Sequence, residues 1–379
     1  MPNGARSGAR GGARGGARGG ALKGSPVATG AEQIFGDLRQ VAARVRADLE
    51  AEISESSLEL PADVAPAAEI SRFAREERAR VLEAGVSGLE KLAAHREDEI
   101  DEDESFGVEA IVLLQGRPAI LVQRQDFASQ RDEWAVLDGQ RAAIRESLAR
   151  VGRVEVTGHP SLDWIGTAFL VGPRTVMTNR HVAAEFSRFE TDRGQWSFAF
   201  GMSARVDPAE ELPVDGADDP ASAPAPSPYE ITEIIGIHPD VDMALLRIEP
   251  AASDGLPTPL AVAADAPASV PGRPVYVVGY PAWDGRRNEP DSMSRIFMDV
   301  YNVKRLQPGA ATEFTPGSLV MKHDCSTLGG NSGSPVFDLT DHRVLGLHFG
   351  GRYRSGNLAV PLWELVDDPL LARAEVNWV

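Results

Sequence analysis

Ser326-Thr327-Leu328-Gly329-Gly330-Asn331-Ser332-Gly333-Ser334-Pro335-Val336-Phe337 crowds glycines around one serine and runs straight into an apolar strand. Glycine accepts positive φ and lets backbone approach a ligand closely, so Gly329 and Gly330 can turn neighbouring N–H groups toward one point. Ser332 sits at that point. A serine hydroxyl attacks well only when a base removes its proton, and acyl transfer also needs donors aimed at the developing oxyanion. The stretch supplies the hydroxyl and the donors, but no base.

The base should be a histidine oriented by a carboxylate, and the chain offers seven histidines. His181 stands where the run Val176-Met177-Thr178-Asn179-Arg180-His181 leaves an apolar strand, just after the strand-like Gly166-Thr167-Ala168-Phe169-Leu170-Val171. Asp242 stands at the mouth of another apolar strand, Met243-Ala244-Leu245-Leu246. Its neighbour Asp240 follows Pro239 and reads as a turn residue, and His238, which precedes that proline, reads as a surface residue. The chain order is then His, Asp, Ser.

Three motifs, Thr178-Asn179-Arg180-His181-Val182, Asp242-Met243-Ala244-Leu245-Leu246 and Gly330-Asn331-Ser332-Gly333-Ser334-Pro335, resemble those of the trypsin-like serine peptidases. Each alone recurs by chance, but all three in the family's order make a specific signal. The nearest likeness is to the bacterial glutamyl endopeptidases and high-temperature-requirement proteases, over about residues 150–379. The resemblance implies an all-β chymotrypsin-type double β-barrel, here with an N-terminal, mainly helical extension. It also implies a serine endopeptidase acting on protein or peptide, with Ser332 as nucleophile, His181 as base, Asp242 as its orienting carboxylate, and the N–H groups of Gly330 and Ser332 as the oxyanion hole.

In glutamyl endopeptidases a hydroxyl five residues before the nucleophile and a histidine in a later strand bind the acidic side chain of the substrate. Thr327 and His348 resemble those positions, and Gly350 leaves room for substrate backbone. That implies cleavage after Glu, while the other reading makes His348 a neutral residue filling a small apolar pocket. Asn331 stands where the digestive enzymes carry an aspartate that pairs with a newly cut N-terminal amine. An amide cannot make that ion pair, so activation by N-terminal insertion is not expected. A non-catalytic binding protein built on a peptidase barrel is the alternative.

The 379 residues suffice for two domains, and the net charge of −18 opposes general nucleic-acid binding. A single cysteine, Cys325, excludes an intrachain disulfide and reads as a small core residue. No run of about 18 apolar residues offers a membrane span. Met1–Gly30 has no continuous apolar stretch of the secretory kind, so a cytoplasmic protein is expected. The histidines show no metal-ligand spacing, and neither metal nor cofactor is expected.

Residues 1–30 form a Gly/Ala/Arg-rich tail too polar to bury a core and expected to be disordered. Residues 31–96 read as a helical module. Ile34, Leu38, Val41, Val45 and Leu49 mark one amphipathic helix, and Ile70, Phe73, Val81, Leu82, Leu89 and Leu92 a second, packing on each other or on a protein partner. Residues 97–150 read as an acidic, solvated linker (Glu97–Glu104), a hairpin of Ala110–Leu114 with Ala119–Val122, and a third helix marked by Trp134, Leu137, Ile144, Leu148 and Val151. Residues 151–379 read as the peptidase domain, with a solvated Asp207–Ser227 loop and a closing helix at Trp363–Ala374.

Overall fold

The helical periodicity around Leu38 resolves into two helices that bury each other. The computed structural model describes residues 37–55, 65–94, 96, 99–101, 103–104, 116–213, 227–250, 255–283, 297, 300–352 and 356–379. The Gly/Ala/Arg-rich tail, Ile34, the 110–114 run and much of the 207–227 loop lie outside them. Helices α1 (Leu38–Glu55) and α2 (Ala65–Ala93) run antiparallel, because Arg39 Nη2 reaches Ala93 O at 3.4 Å and Arg46 pairs with Glu90 at 2.9 Å. Leu38, Val41, Val45 and Leu49 interleave with Leu82, Val86, Leu89 and Leu92, as one apolar stripe per helix requires. Among the described residues no helix is long and apolar enough to cross a membrane.

The acidic run is anchored at its end rather than simply solvated. Glu104 is buried and accepts hydrogen bonds from Ser87 Oγ and Lys91 Nζ, each at 2.6 Å. Burial alone raises its pKa, but the Lys91, Ser87 and Asp101 N–H bonds outweigh that and hold it below the usual range.

The apolar Ala119–Val122 run does become a strand, and its observed hairpin partner lies downstream. Strand β1 (Ile120–Gln123) turns back into β2 (Asp126–Phe127) through Arg124 and Gln125, both at φ 55, the mirror-image turn whose twist suits a two-residue hairpin. The third helix is split at Gln140, beside Gly139, into α3 (Val136–Gly139) and α4 (Arg141–Leu148). Val151 opens a strand instead of closing that helix, while Leu137, Ile144 and Leu148 are fully buried.

The chain next lays down β3 (Val151–Thr157), β4 (Trp164–Gly172), β5 (Thr175–Thr178), the short helix α5 (Arg180–Ala184), a hairpin of β6 (Ser187–Glu190) and β7 (Gln195–Phe198), then β8 (Ser203–Asp207), β9 (Tyr229–Ile237) and β10 (Ala244–Pro250). A first barrel closes in the order β10-β5-β4-β3-β8-β9. Strands β11 (Pro274–Gly279), β12 (Arg305–Phe314), β13 (Met321–His323), β14 (Pro335–Asp338), β15 (Val344–Arg352) and β16 (Gly356–Pro361) form a second. Its order is β11-β14-β15-β16-β13-β12, sealed where Val277 of β11 faces Gln307 of β12. The protein is two six-stranded antiparallel barrels preceded by helices.

The continuous apolar runs arise because both faces of these strands are buried. On β4, Ala168 and Leu170 fill the first barrel while Phe169 and Val171 face the seam between barrels. On β11, Val275 and Val277 fill the second barrel while Tyr276 and Val278 face the same seam. A period of two thus divides each strand between two cores. Cys325 lies in the second barrel's core, where burial pushes its thiol pKa well up. The expected closing helix is broken by Pro369 into a 3-10 turn, Leu362–Leu365, and the short α6 (Pro369–Ala372).

Residues 120–148 belong to that seam. Ile120, Val122, Phe127, Leu137, Ile144 and Leu148 share one cluster with Tyr276 and Phe337, and β1 extends the second barrel by pairing Ile120 with Leu306. Lys304 pins the arrangement. Its fully buried Nζ donates to Gln125 Oε1 and Leu148 O at 2.9 Å and to Pro208 O at 2.5 Å, with Glu211 Oε1 at 3.8 Å. Burial pushes the ammonium pKa down to about 7 and raises that of the Glu211 carboxyl.

Candidate active site

Register brings His181 to Asp242. Strands β5 and β10 pair with Thr178 opposite Ala244, so the residues just after Thr178 meet those just before Ala244. The His181 Nδ1–H donates to Asp242 Oδ2 at 2.7 Å, and the His181 backbone N–H donates to Oδ1 of the same carboxylate at 3.0 Å. Burial works to raise the Asp242 pKa, yet the bonds and charge of His181 and the charge of Arg180 leave it lowered. The carboxylate therefore stays ionised at neutral pH and fixes both the tautomer and the orientation of the imidazole. Half of the His181 side chain is exposed, so its other nitrogen can meet a ligand.

The loop carrying Asp242 is tied on three sides. Asn179 Nδ2 donates to Asp242 O at 2.8 Å, and Arg180 Nη1 to Pro239 O at 2.7 Å. His238 is buried, contrary to its reading as a surface residue, because its ring serves as a local staple. Its Nδ1 accepts the N–H groups of Asp240 and Val241 at 3.1 Å, and its Nε2–H donates to Asp368 Oδ2 at 3.0 Å. Asp240 lies in a bend, with its backbone N–H and not its carboxylate engaged by that ring.

Ser332 follows a 3-10 turn, Gly329–Asn331, and β4 of the first barrel holds it. The Thr167 N–H donates to Ser332 O at 2.8 Å, and Thr167 Oγ1 donates to Gly330 O at 2.9 Å. A Cβ on Gly166 would meet Ser332 O and Val182 Cγ2 at 2.8 Å, so the serine loop and the residue after His181 converge on that glycine. A glycine inside a strand is a sequence sign of such close approach, and here it marks the contact between loop and helix. Gly333 combines φ +90 with a Cβ position 2.0 Å from Thr167 O, which leaves no residue but glycine there.

The expected oxyanion donors are placed unevenly. The Ser332 N–H donates to Gly329 O at 3.3 Å, closing the 3-10 turn on itself, and among the described residues no hydrogen bond joins Ser332 Oγ to His181. Gly330 is wedged between Tyr280 O and the Trp164 ring, which a Cβ would approach to 2.1 and 2.4 Å. Asn331 is fully buried, and among the described residues its side-chain amide forms no hydrogen bond.

The three expected substrate-binding positions lie on the second barrel. Thr327 is half-buried before the serine loop. His348 on β15 is 2% exposed and shares a 3.1 Å hydrogen bond through Nδ1 with Nε2 of His323 on β13. Burial, then the neighbouring His323 and His181, push the His348 pKa well below its ordinary value, and burial pushes His323 to about 3. Both rings are neutral at neutral pH. Among the described residues a Cβ on Gly350 would meet nothing within 4 Å. As to metals, Glu155, Asp207 and Glu210 bring carboxylates within 4.8 Å of one another, but Arg153 and Arg205 already pair with them.

Residues 166–347, which span His181, Asp242 and Ser332, match the family model of the trypsin-like peptidase domain. These residues are similar to a trypsin-like peptidase domain. Solved structures similar to the protein include the Rv3671c protease from M. tuberculosis in its active form, at 21% identity over 68% of this chain and 91% of that one, with a TM-score of 0.41. The inactive form of Rv3671c protease gives 22% identity over 64% and 96%, with a TM-score of 0.39. A search of curated proteins returns no match. The peptidase domain match begins at Gly166, within β4, so the residues holding the serine loop from the first barrel fall inside it while the β1–α4 segment falls before it.

Proposed function

We propose that the chain is a serine endopeptidase in which Ser332 attacks the scissile carbonyl, His181 takes its proton and returns it to the leaving amine, and Asp242 stabilises the imidazolium. The observation that carries this reading is the two-point hold of Asp242 on His181 beside the Ser332 loop. Turnover then requires the Gly329 carbonyl to rotate off the Ser332 N–H, so that Gly330 and Ser332 can donate to the oxyanion together. A fluorophosphonate probe tests the reading, since it should label Ser332 in the folded protein. Folded protein with no labelling at Ser332 would favour the non-catalytic binding alternative.

For specificity we infer a preference for Glu before the scissile bond, with Thr327 Oγ1 and a neutral His348 donating to its carboxylate. A hydrogen bond to a charged group contributes about 1.5–3 kcal/mol. His348→Ala should therefore reduce the preference for Glu over Ala at that position by roughly 10-fold or more, measured as a ratio of kcat/KM on paired peptides. Equal cleavage after both residues in the wild type, or an unchanged ratio in the variant, would exclude an acidic pocket.

A further inference from the structure

We propose that Arg117 is a positioning residue for the nucleophile loop, acting through residues 324–328. The inference rests on the serine-peptidase reading and assigns a task to the segment ahead of the first barrel. From Asp324 to Leu328 the chain belongs to no strand, and the turn that follows is rich in glycine, so neither segment is stiff by itself. Stiffness must come from neighbours.

Residues 117–119 supply them at every second position. Arg117 Nε and Nη2 donate to Asp324 Oδ1 and Oδ2, each at 2.7 Å, in the fork-on-fork geometry that fixes direction as well as distance. Ser326 Oγ donates back to Arg117 O at 2.6 Å. Ala119 packs on Leu328 and Phe297, and its carbonyl is held by the buried Arg305 at 2.7 Å. The side chains of Arg117 and Asp324 are only 12% and 28% exposed, so solvent screens the pair weakly. The Arg117 guanidinium also lies 5.7 Å from the Trp134 ring, and Asp324 Oδ1 takes the Ala310 N–H at 2.7 Å.

Leu328 immediately precedes the turn that engages the Ser332 N–H. For Gly329 to rotate and free that donor, Leu328 must stay still. The clasp makes it the fixed end of the rotation, and Thr327, carried between two held residues, keeps its place in the pocket.

The test uses the full chain. Arg117→Ala should lower kcat/KM for a peptide by about 10-fold or more, mainly through kcat, and slow fluorophosphonate labelling of Ser332 in proportion. Arg117→Lys should restore only part of this, because a point charge cannot hold two oxygens. Millimolar guanidinium should partly rescue Arg117→Ala but not Asp324→Ala, and the double variant should be no worse than Asp324→Ala alone. Ser326→Ala keeps the ion pair and should show a smaller loss of the same kind, which carries the test if Arg117→Ala does not fold. Wild-type kinetics in folded Arg117→Ala and Ser326→Ala, or additive losses without rescue, would overturn the proposal. An active wild type with unaffected variants overturns the clasp alone, whereas a wild type inert to substrate and probe removes the peptidase reading and the clasp with it.

Discussion

Ser332→Ala is expected to lower kcat for peptide hydrolysis by roughly 10⁶-fold, the scale on which loss of a serine nucleophile acts in such triads. Stability should change by no more than about 0.5 kcal/mol, because the side chain is half-buried and its hydroxyl makes no hydrogen bond among the described residues. Gly333→Ala is the informative contrast. It leaves the hydroxyl in place but drives a methyl group to within 2.0 Å of Thr167 O at φ +90, so activity and thermal stability should fall together. Peptide turnover and a thermal melt on the two variants separate chemistry from loop architecture. Substantial turnover by purified Ser332→Ala would remove Ser332 from the proposed role.

The largest stability effect is expected at Lys304. Lys304→Ala removes the donor shared by Gln125, Leu148 and Pro208 and leaves a cavity, a loss on the order of 3 kcal/mol. The pH dependence has a definite sign. The folded pKa is about 7 against 10.5 for the free side chain, so between those values the unfolded chain binds more protons. Stability therefore rises with pH across that window, by up to about 1.4 kcal/mol per pH unit. Glu211, Asp207 and Tyr280 share the surroundings and shape the rest of the profile. In Lys304→Met the part of the slope due to Lys304 should vanish, which denaturant melts of both proteins from pH 7 to 10 would show. Parallel profiles would mean that the ammonium keeps an ordinary pKa.

Much of the fold was legible because its strands announce themselves locally. Apolar runs such as Phe169–Val171 and Val275–Val278 read as strands from composition, and residues near strand ends, His181 and Asp242, stood out as polar groups at apolar borders. Register then did the rest, since opposing Thr178 to Ala244 forces the two together. What stayed hidden depends on pairings between distant segments. The partners Arg117 and Asp324 are 207 positions apart, and neither residue type nor spacing marks one as the other's ligand. His238 looked exposed because it precedes a proline, yet its partner Asp368 comes from the far end of the domain. The Gly329–Asn331 turn is hidden for another reason: glycine permits either orientation of a peptide, so residue identity cannot say which way the Gly329 carbonyl points.

The bond between His238 and Asp368 bears on the order in which the molecule is made. The first barrel's last strand ends at Pro250, so every strand of that barrel is synthesised before Asp368. Until then His238 Nε2 has no carboxylate to hold, and the staple that shapes the Asp242 loop is incomplete. Asp368 also caps α6 through its other oxygen, accepting from Leu370 N at 2.8 Å, so both contacts form at once when the last helix folds. We expect Asp368→Asn, which weakens this bond in the complete protein, to slow fluorophosphonate labelling of Ser332 relative to the wild type. Equal labelling would disprove this. In this arrangement the loop around Asp242 is completed by a carboxylate that lies beyond the last strand of the second barrel.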